Sequence, residues 1–204
     1  MQVLEKIFGG VAKVKMMRLF MFNPDTAFDV DDIVTRAQAS HLEVRSEIAN
    51  FLKMGFIKRK TFSREIPATP RTPWHRKKTS GWIFNEKFPH AAELRPLLTN
   101  TVPLKNGDII RRINRVGKIK LIIVAGIFIQ NTESRIDLLV VGDSIRKIAL
   151  EDVMKKVEAE IGKELRYTAF ETDDFKYRLS VYDKLIRDIL DFEHHTVLDK
   201  LGSF

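Results

Sequence analysis

Basic side chains are concentrated in one stretch of this 204-residue chain, between Phe56 and Ser80. The stretch holds eight lysines and arginines against the single acid Glu65, and the whole chain has a formal net charge of +8. Ammonium and guanidinium groups at this density bind phosphates, so the stretch predicts contact with a polyanion such as nucleic acid. A solubilising loop has the same composition, and charge alone does not separate the two.

Side chains suited to contacting DNA bases precede this stretch, on a predicted helix that begins after Ser40. Arg45 has the forked donors that match guanine, and Asn50 has the donor and acceptor that match adenine. The predicted DNA-contacting set is Ser40, His41, Arg45, Ser46, Asn50, Arg59, Lys60, Arg64, Arg71, Arg76, Lys77 and Lys78. Glu43 and Glu47 oppose phosphate and favour the alternative, a helix that contacts only protein.

Capping signals define this helix, the third in the chain. Ser40 and Glu43 have the S-x-x-E spacing of a capping box, and Gly55 stands where a C-terminal glycine cap belongs. Two earlier helices are predicted, over Val11–Asn23 and from the N-cap Asp29 to Gln38. The expected inward face of the third helix consists of Leu42, Ile48, Phe51 and Leu52.

A two-stranded ribbon is predicted after the third helix. Phe56–Lys60 and Gly81–Phe84 have strand patterns, and three prolines between them predict a long, extended, mobile loop. Three helices and such a ribbon indicate a winged helix-turn-helix, whose third helix enters the major groove of DNA. A short helix over Pro89–Leu98 and a linker over Thr99–Gly107 follow, so this domain is predicted at residues 1–100.

A second group of residues has the spacing of a phosphoryl-transfer site. A strand ending in Val124-Ala125 leads to Gly126-Ile127, and the next predicted strand contains Arg135-Ile136-Asp137. The pattern resembles the small, MNT-type nucleotidyltransferases of the DNA polymerase beta superfamily, whose motif is Gly-Ser followed by Asp-x-Asp. This resemblance covers about residues 108–204. With the winged helix in front, the chain is similar to bacterial or archaeal transcriptional regulators that fuse the two domains.

The resemblance implies two-metal chemistry, most of whose ligands this chain replaces. Ile127 stands at the serine position and Arg135 at the first aspartate position, so only Gly126 and Asp137 match the motif. Arg135 is expected on the same strand face as Asp137, which either pairs with it or pairs elsewhere. The third strand, Leu165–Phe170, has no acid. We therefore predict a degenerate nucleotidyltransferase-like domain at residues 101–204 that is not an enzyme and holds no metal or other cofactor.

The second half is predicted to have the order α-β-β-α-β-α and a final edge strand. The expected helices are Asp108–Val116, Leu150–Ile161 and Asp173–Phe192, the last with a break near Ser180, and the expected strands are Lys118–Ala125, Arg135–Val141, Leu165–Phe170 and Thr196–Leu198. The expected fold class is α+β: an N-terminal winged helix-turn-helix followed by a small nucleotidyltransferase-like α/β domain with a mixed sheet.

Composition excludes several protein classes. The chain has no cysteine, so disulfides, thiolate metal sites and a cysteine nucleophile are excluded. The longest apolar run, Leu121–Ile129, is too short to span a membrane, and residues 1–10 lack a secretory leader pattern. We therefore expect a cytoplasmic protein with no membrane partner. His194 and His195 are adjacent on a predicted strand and point to opposite faces, so no shared metal is expected.

The leading hypothesis is a sequence-specific DNA-binding transcriptional regulator, with double-stranded DNA as partner. A helix-turn-helix favours a homodimer on a pseudopalindrome, and the second domain would dimerise or sense a nucleotide or protein effector. The alternative is an active nucleotidyltransferase that modifies a partner protein in a toxin–antitoxin pair. A third hypothesis is a pseudoenzyme that binds a nucleotide near Gly126, with phosphates held by Arg111, Arg112 and Arg115.

Trp82 is expected in the core, and Trp74 either stacks on a base or packs on the domain.

Overall fold

Two units, each with its own sheet, make up the α+β fold of this chain. The computed structural model describes residues 2–66, 68, 73–99, 106–131 and 133–202. Residues 1–101 and 159–163 group as the first unit, and residues 102–158 and 164–204 group as the second.

Four helices open the first unit: α1 (Gln2–Phe8), α2 (Val11–Phe22), α3 (Val30–Ala37) and α4 (His41–Met54). The predictions for α2, α3 and α4 are confirmed, whereas α1 was not expected. Reciprocal capping boxes start α3, with Asp29 and Asp32, and α4, with Ser40 and Glu43. Gly55 ends α4 with a φ of 73°, the left-handed conformation that glycine adopts without strain.

An antiparallel ribbon of two ten-residue strands, β1 (Ile57–Ile66) and β2 (His75–Phe84), follows α4. The prediction of a long loop between two short strands is therefore wrong, because most of residues 61–80 belong to the ribbon. Pro73 lies before β2 and takes no amide from the ladder, so the proline content does not prevent pairing. Pro67, Pro70 and Arg71 lie outside the described residues. The helix α5 (Ala91–Thr99) comes next, close to its predicted position.

The core of the first unit joins the helices to the base of the ribbon. Its buried side chains include Phe20, Phe28, Ile33, Val44, Ile48, Phe51, Phe56 and Phe84. Leu42 was predicted to face inward, and this is wrong, because 81% of its surface is exposed. Two residues along an α-helix correspond to a rotation of about 200°, so the burial of Val44 turns Leu42 to the opposite side.

A buried arginine connects helix α2 to a distant segment of the same unit. Arg18 is fully buried, and its Nη1 donates a hydrogen bond to the main-chain oxygen of Glu160 (2.9 Å). Asn23 Nδ2 donates to the main-chain oxygen of Gly162 (2.8 Å). Both acceptors belong to residues 159–163, which group with the first unit.

A four-stranded mixed sheet forms the centre of the second unit, in the order β5-β4-β3-β6. The β4–β5 pair is parallel and the other two pairs are antiparallel, so the predicted mixed sheet is confirmed. The elements are α6 (Asn106–Ile113), β3 (Lys118–Val124), β4 (Leu138–Asp143), α7 (Lys147–Ile161), β5 (Tyr167–Glu171), α8 (Thr172–Ser180), α9 (Lys184–Asp191) and β6 (His195–Asp199). A short 3₁₀ turn, Gly126–Ile129, follows β3.

Several boundaries in the second unit differ from the predicted ones. Strand β4 begins at Leu138, so Arg135 and Asp137 precede the strand instead of lying within it. Strand β5 extends to Glu171 and therefore does contain an acid at its end. The predicted break in the last helix and the predicted edge strand are confirmed by the separation of α8 from α9 and by β6. Residues 100–105 of the expected linker lie outside the described residues.

Candidate functional site

The first turn of α4 is fixed by the contacts between Ser40 and Glu43. The Ser40 amide donates to Glu43 Oε2 (2.9 Å), and the Glu43 amide donates to Ser40 Oγ (3.3 Å). Hydrogen bonds from the Ser40 side chain and main chain lower the pKa of the Glu43 carboxyl. Ser40, predicted as a DNA contact, therefore orders the start of the helix, and Glu43 remains charged within the cap.

The exposed face of α4 contains the other predicted contacts of this helix. His41, Arg45, Ser46 and Asn50 are all exposed, while Val44, Ile48 and Phe51 on the opposite face are buried. Arg45 makes no hydrogen bond or ion pair with any described residue. This face is thus a solvent-accessible row of mostly polar side chains, and it also includes the apolar Leu42, which was predicted to face inward.

Glu47 reduces the positive charge beside this face. Asn50 Nδ2 donates to Glu47 Oε2 (3.3 Å), and the same carboxylate forms an ion pair with Lys13 of α2 (3.4 Å). The acid is therefore balanced by a lysine from a neighbouring helix, and it orients the amide of Asn50. Its presence on α4 is compatible with a nearby phosphate because its charge is paired.

The ribbon has cations on both of its faces. Side chains alternate along each strand, and directly paired residues share a face. From the register, Arg59, Arg76 and Lys78 lie on one face, and Lys58, Lys60 and Lys77 on the other. Of these six, only Arg76 has a partner among the described residues, the exposed carboxylate of Glu65 (3.0 Å). Five unpaired cations thus extend along a ribbon about 30 Å long.

Arg64 differs from the other basic residues of the ribbon. Its Nη1 forms an ion pair with Asp29 (2.5 Å), and its Nη2 pairs with Asp32. Both aspartates belong to the capping box of α3, so Arg64 connects β1 to the start of that helix. Its charge is neutralised within the unit, and the residue fixes the ribbon in place instead of presenting a free cation to phosphate.

The base of the ribbon has a shallow hollow of about 290 Å³ lined by Arg59, Thr61, Ser80 and Trp82, among others. The main chain of Trp82 pairs with Phe28, which adds a third short segment to the ribbon. Trp82 packs partly against the core, as expected. Trp74 is instead 54% exposed, and the guanidinium of Arg76 lies 5.6 Å from its ring centroid.

In the second unit, the predicted nucleotide site is a tight turn built around the carboxylate of Asp137. Asp137 is only 3% exposed, and its Oδ1 accepts the Ile127 amide (3.0 Å). Its Oδ2 accepts the main-chain amide of Arg166 (2.9 Å). Gly126 has a φ of 53°, and a Cβ at this position would overlap Asp137 Oδ1. The structure thus brings Gly126, Ile127 and Asp137 together, with the carboxylate bound by the surrounding main chain.

The charged side chains near this turn pair in a way that the sequence left open. Arg135 lies 2.6 Å from Asp188 of α9, so the expected Arg135–Asp137 ion pair is wrong. The alternative, that Asp137 pairs elsewhere, is confirmed by the Arg166 guanidinium, whose Nε lies 3.4 Å from Oδ2. Arg135 is therefore placed apart from the remaining aspartate, contrary to the expected shared strand face.

The acid at the end of β5 lies away from the Gly126 turn. Glu171 pairs in register with Gly142, near the end of β4, whereas Asp137 immediately precedes Leu138 at the start of that strand. The Glu171 carboxylate accepts the amides of Ser144 and Ile145 (3.0 and 3.2 Å). Within the described ranges, no group of three His, Asp or Glu side chains has a geometry that could hold a metal ion.

Other residues singled out in the second half have local roles. Arg111 forms an ion pair with Asp108 of the same helix (2.7 Å). His194 lies beside the main-chain oxygen of Phe192 (2.8 Å), and His195 begins the edge strand β6. A hollow of about 440 Å³ is lined by Asn114, Gly117, Lys118, Ile119, Lys120 and Lys200.

Some residues that shape these sites were not found from the sequence. Arg166 and Asp188 are separated from their partners, Asp137 and Arg135, by tens of residues, and no local pattern identifies either pair. The sequence did indicate that either Leu42 or Val44 is exposed, because residues two positions apart cannot both face inward on one helix. Choosing between those two requires the packing of the neighbouring helices.

No family model, curated protein or solved structure matches this chain. Among the helices of the described residues, none has the length and apolarity required to cross a bilayer. Function is therefore inferred from the contacts and charges of the two sites.

Proposed function

We propose that this chain is a sequence-specific DNA-binding transcriptional regulator whose first unit is a winged helix-turn-helix. The observation that supports this most directly is the exposed polar face of α4 next to a ribbon with unpaired cations on both faces. In this proposal α4 contacts base edges in the major groove, and the ribbon contacts the sugar–phosphate backbone.

The charge distribution on the ribbon favours a groove of DNA over a flat acidic surface. A groove has a phosphate backbone on each side, so a ribbon that enters it meets negative charge on both faces. Arg59 and Lys78 on one face and Lys60 and Lys77 on the other match this arrangement. A flat acidic partner would leave one of these faces in solvent, where its cations contribute little.

Binding to duplex DNA across a salt series tests this proposal. If about six phosphates are neutralised, the slope of log K against log salt should be near −5. The variant K60A/K77A/K78A should reduce the magnitude of that slope by about 2–3 and weaken binding to all sequences alike. Arg45→Ala should instead reduce discrimination between sequences by about 1–3 kcal/mol while leaving the slope unchanged.

A matched charge control separates ribbon contacts from net charge. Lys155, Lys156 and Lys176 are exposed lysines of the second unit, and the variant K155A/K156A/K176A removes the same three charges. It should retain the salt slope of the unaltered protein. Equal effects of the two triple variants, or no binding to any duplex at low salt, would contradict the proposal.

We also propose that the second unit is a nucleotidyltransferase-like domain without catalytic activity, used for dimerisation or for sensing a nucleotide or protein effector. The support is the state of Asp137, whose two carboxylate oxygens accept main-chain amides and contact Arg166. Such a carboxylate has little capacity left for Mg²⁺, which binds through carboxylates that have free lone pairs. Ile127 also lacks the hydroxyl that the family motif provides.

Incubation with each radiolabelled nucleoside triphosphate, Mg²⁺ or Mn²⁺, and protein or RNA acceptors tests this second proposal. No transfer of label is expected. Glu133 is an exposed acid of the same loop and serves as the control. Label transfer that is retained in Glu133→Gln but lost in Asp137→Asn would favour the active nucleotidyltransferase instead. Circular dichroism must show that the Asp137→Asn variant is folded.

A further inference from the structure

The most exposed large apolar side chain among the described residues lies on the helix proposed to contact bases. Leu42 is 81% exposed and occupies the first turn of α4, next to His41. An exposed leucine contributes little to the core, so packing within the unit does not explain why an apolar residue occupies this position. Side chains at the start of a recognition helix are those that reach base edges in the major groove.

Leu42 belongs to the centre of the exposed face of α4. With about 100° of rotation per residue, Leu42, Ser46 and Ala49 lie close together in projection, opposite Val44, Ile48 and Phe51. Ala49 is also exposed, so the centre of the face contains two apolar side chains. Polar Arg45 and Asn50 flank them on either side. The face thus combines an apolar centre with hydrogen-bonding edges.

We propose that Leu42 recognises thymine by contact with its 5-methyl group. The major-groove edges of the bases present donors and acceptors, and the thymine methyl is the apolar group among them. An exposed leucine between hydrogen-bonding side chains is complementary to the major-groove edge of thymine, because the other three bases present no methyl group there. The inference rests on the proposed function, and it adds a residue that determines specificity and the base that it selects.

The replacement of thymine by deoxyuridine tests this assignment, because it removes only the methyl group. Duplexes are first selected from a random-sequence pool with the unaltered full chain, and each thymine of the selected site is then replaced in turn. At one or two positions the affinity should fall about fourfold, the factor for loss of one buried methyl group at ~0.8 kcal/mol. Leu42→Ala should bind the thymine site more weakly and lose this response, whereas Leu42→Met should retain it.

Two further measurements make the result decisive. Thermal unfolding of Leu42→Ala should match that of the unaltered protein, since the side chain is exposed. Ile148→Ala, at a residue of the second unit that is 78% exposed, should leave both affinity and the deoxyuridine response unchanged.

The failures of the two proposals are distinguishable. Sequence-specific binding with no deoxyuridine effect, or with the same effect in Leu42→Ala, overturns the role of Leu42 and leaves the DNA-binding function intact. If the pool yields no bound duplex, the DNA-binding function itself is overturned, and the apolar centre of this face is then assigned to a protein partner.

Discussion

Asp137 is a buried residue whose carboxylate helps to determine the conformation of a turn. It immediately precedes β4, close to Gly126, and its carboxylate accepts the amides of Ile127 and Arg166. A buried carboxylate with such donors stabilises the local main chain, because each donor would otherwise lack a partner. The turn between β3 and β4 therefore depends on this side chain for its conformation.

Gly126→Ala should unfold the second unit at lower denaturant concentration than the unaltered protein. The added Cβ overlaps Asp137 Oδ1, and the left-handed φ of 53° is itself unfavourable for alanine. Displacement of the carboxylate and the backbone strain together should lower the free energy of unfolding by about 3 kcal/mol. Chemical denaturation followed by circular dichroism measures this change.

Gly202→Ala is the matched control for this substitution. Gly202 has a φ of 63°, and a Cβ there would have no atom within 4 Å. It therefore isolates the backbone term, which should be about 1 kcal/mol. If the two variants lost the same amount of unfolding free energy, the close approach of Gly126 to Asp137 would not contribute to the loss in Gly126→Ala.

At the scale of elements, local signals predicted the ends of helices and long-range pairing determined the rest. The N-cap at Asp29, the capping box at Ser40 and the C-cap at Gly55 depend on residues a few positions apart, and all three were found from the sequence, although the reciprocal contact of Asp32 with Asp29 was not. The ion pair of Arg64 with Asp29 spans 35 residues, and that of Arg166 with Asp137 spans 29. Such pairs depend on how elements pack, which no local pattern contains.

The ribbon shows why composition was misleading for one element. Prolines near residue 70 predicted a loop over residues 61–80, but a proline excludes a strand only where its amide would enter the ladder. The strands end at Ile66 and begin again at His75, so Pro73 lies beyond the paired residues. The charged residues occupy consecutive positions along both strands, at 58–60 and 76–78, so no alternation of polar and apolar residues marked this part of the ribbon.

The capping box of α4 should lose stability as the pH falls. Hydrogen bonds from Ser40 lower the pKa of Glu43 in the folded state, so the carboxylate stabilises the fold above its unfolded pKa. That contribution disappears as the pH falls through the lowered folded pKa. The stability difference between the unaltered protein and Glu43→Gln should therefore shrink on acidification, which denaturation at a series of pH values measures.

Ser40→Ala provides the control for the cap. It removes the hydroxyl that accepts the Glu43 amide, and at neutral pH it should destabilise the protein by about 1 kcal/mol. In the Ser40→Ala background, Glu43→Gln should have a smaller effect than in the unaltered chain. If the two substitutions were additive at every pH, the two halves of the box would not be coupled.

At the scale of the whole molecule, residues 159–163 are part of the first unit although they follow most of the second in sequence. Gly162 has a φ of 90°, and a Cβ there would lie 2.6 Å from the Arg18 carbonyl carbon. Gly162→Ala should therefore reduce the stability of the first unit by about 3 kcal/mol or more. Loss of near-ultraviolet circular dichroism signal from Trp74 and Trp82, both in this unit, reports its unfolding.

Gly55→Ala is the comparison for Gly162 within the same unit. It has a similarly positive φ of 73°, but a Cβ there would have no atom within 4 Å. A loss of about 1 kcal/mol is expected. A loss as large as that of Gly162→Ala would mean that backbone strain alone, and not contact with α2, makes Gly162 necessary.

The hydrogen bonds of Arg18 and Asn23 also have a consequence for how the protein is made. Their acceptors at Glu160 and Gly162 are synthesised about 60 residues after the last residue of α5, which at roughly 5–20 residues per second is a delay of about 3–12 s. During that interval Arg18, which is buried in the folded protein, lacks the main-chain oxygen of Glu160 as a hydrogen-bond acceptor. The first unit thus completes its folding late in translation, and ribosome-bound chains that end before residue 160 should be more susceptible to proteases than longer ones.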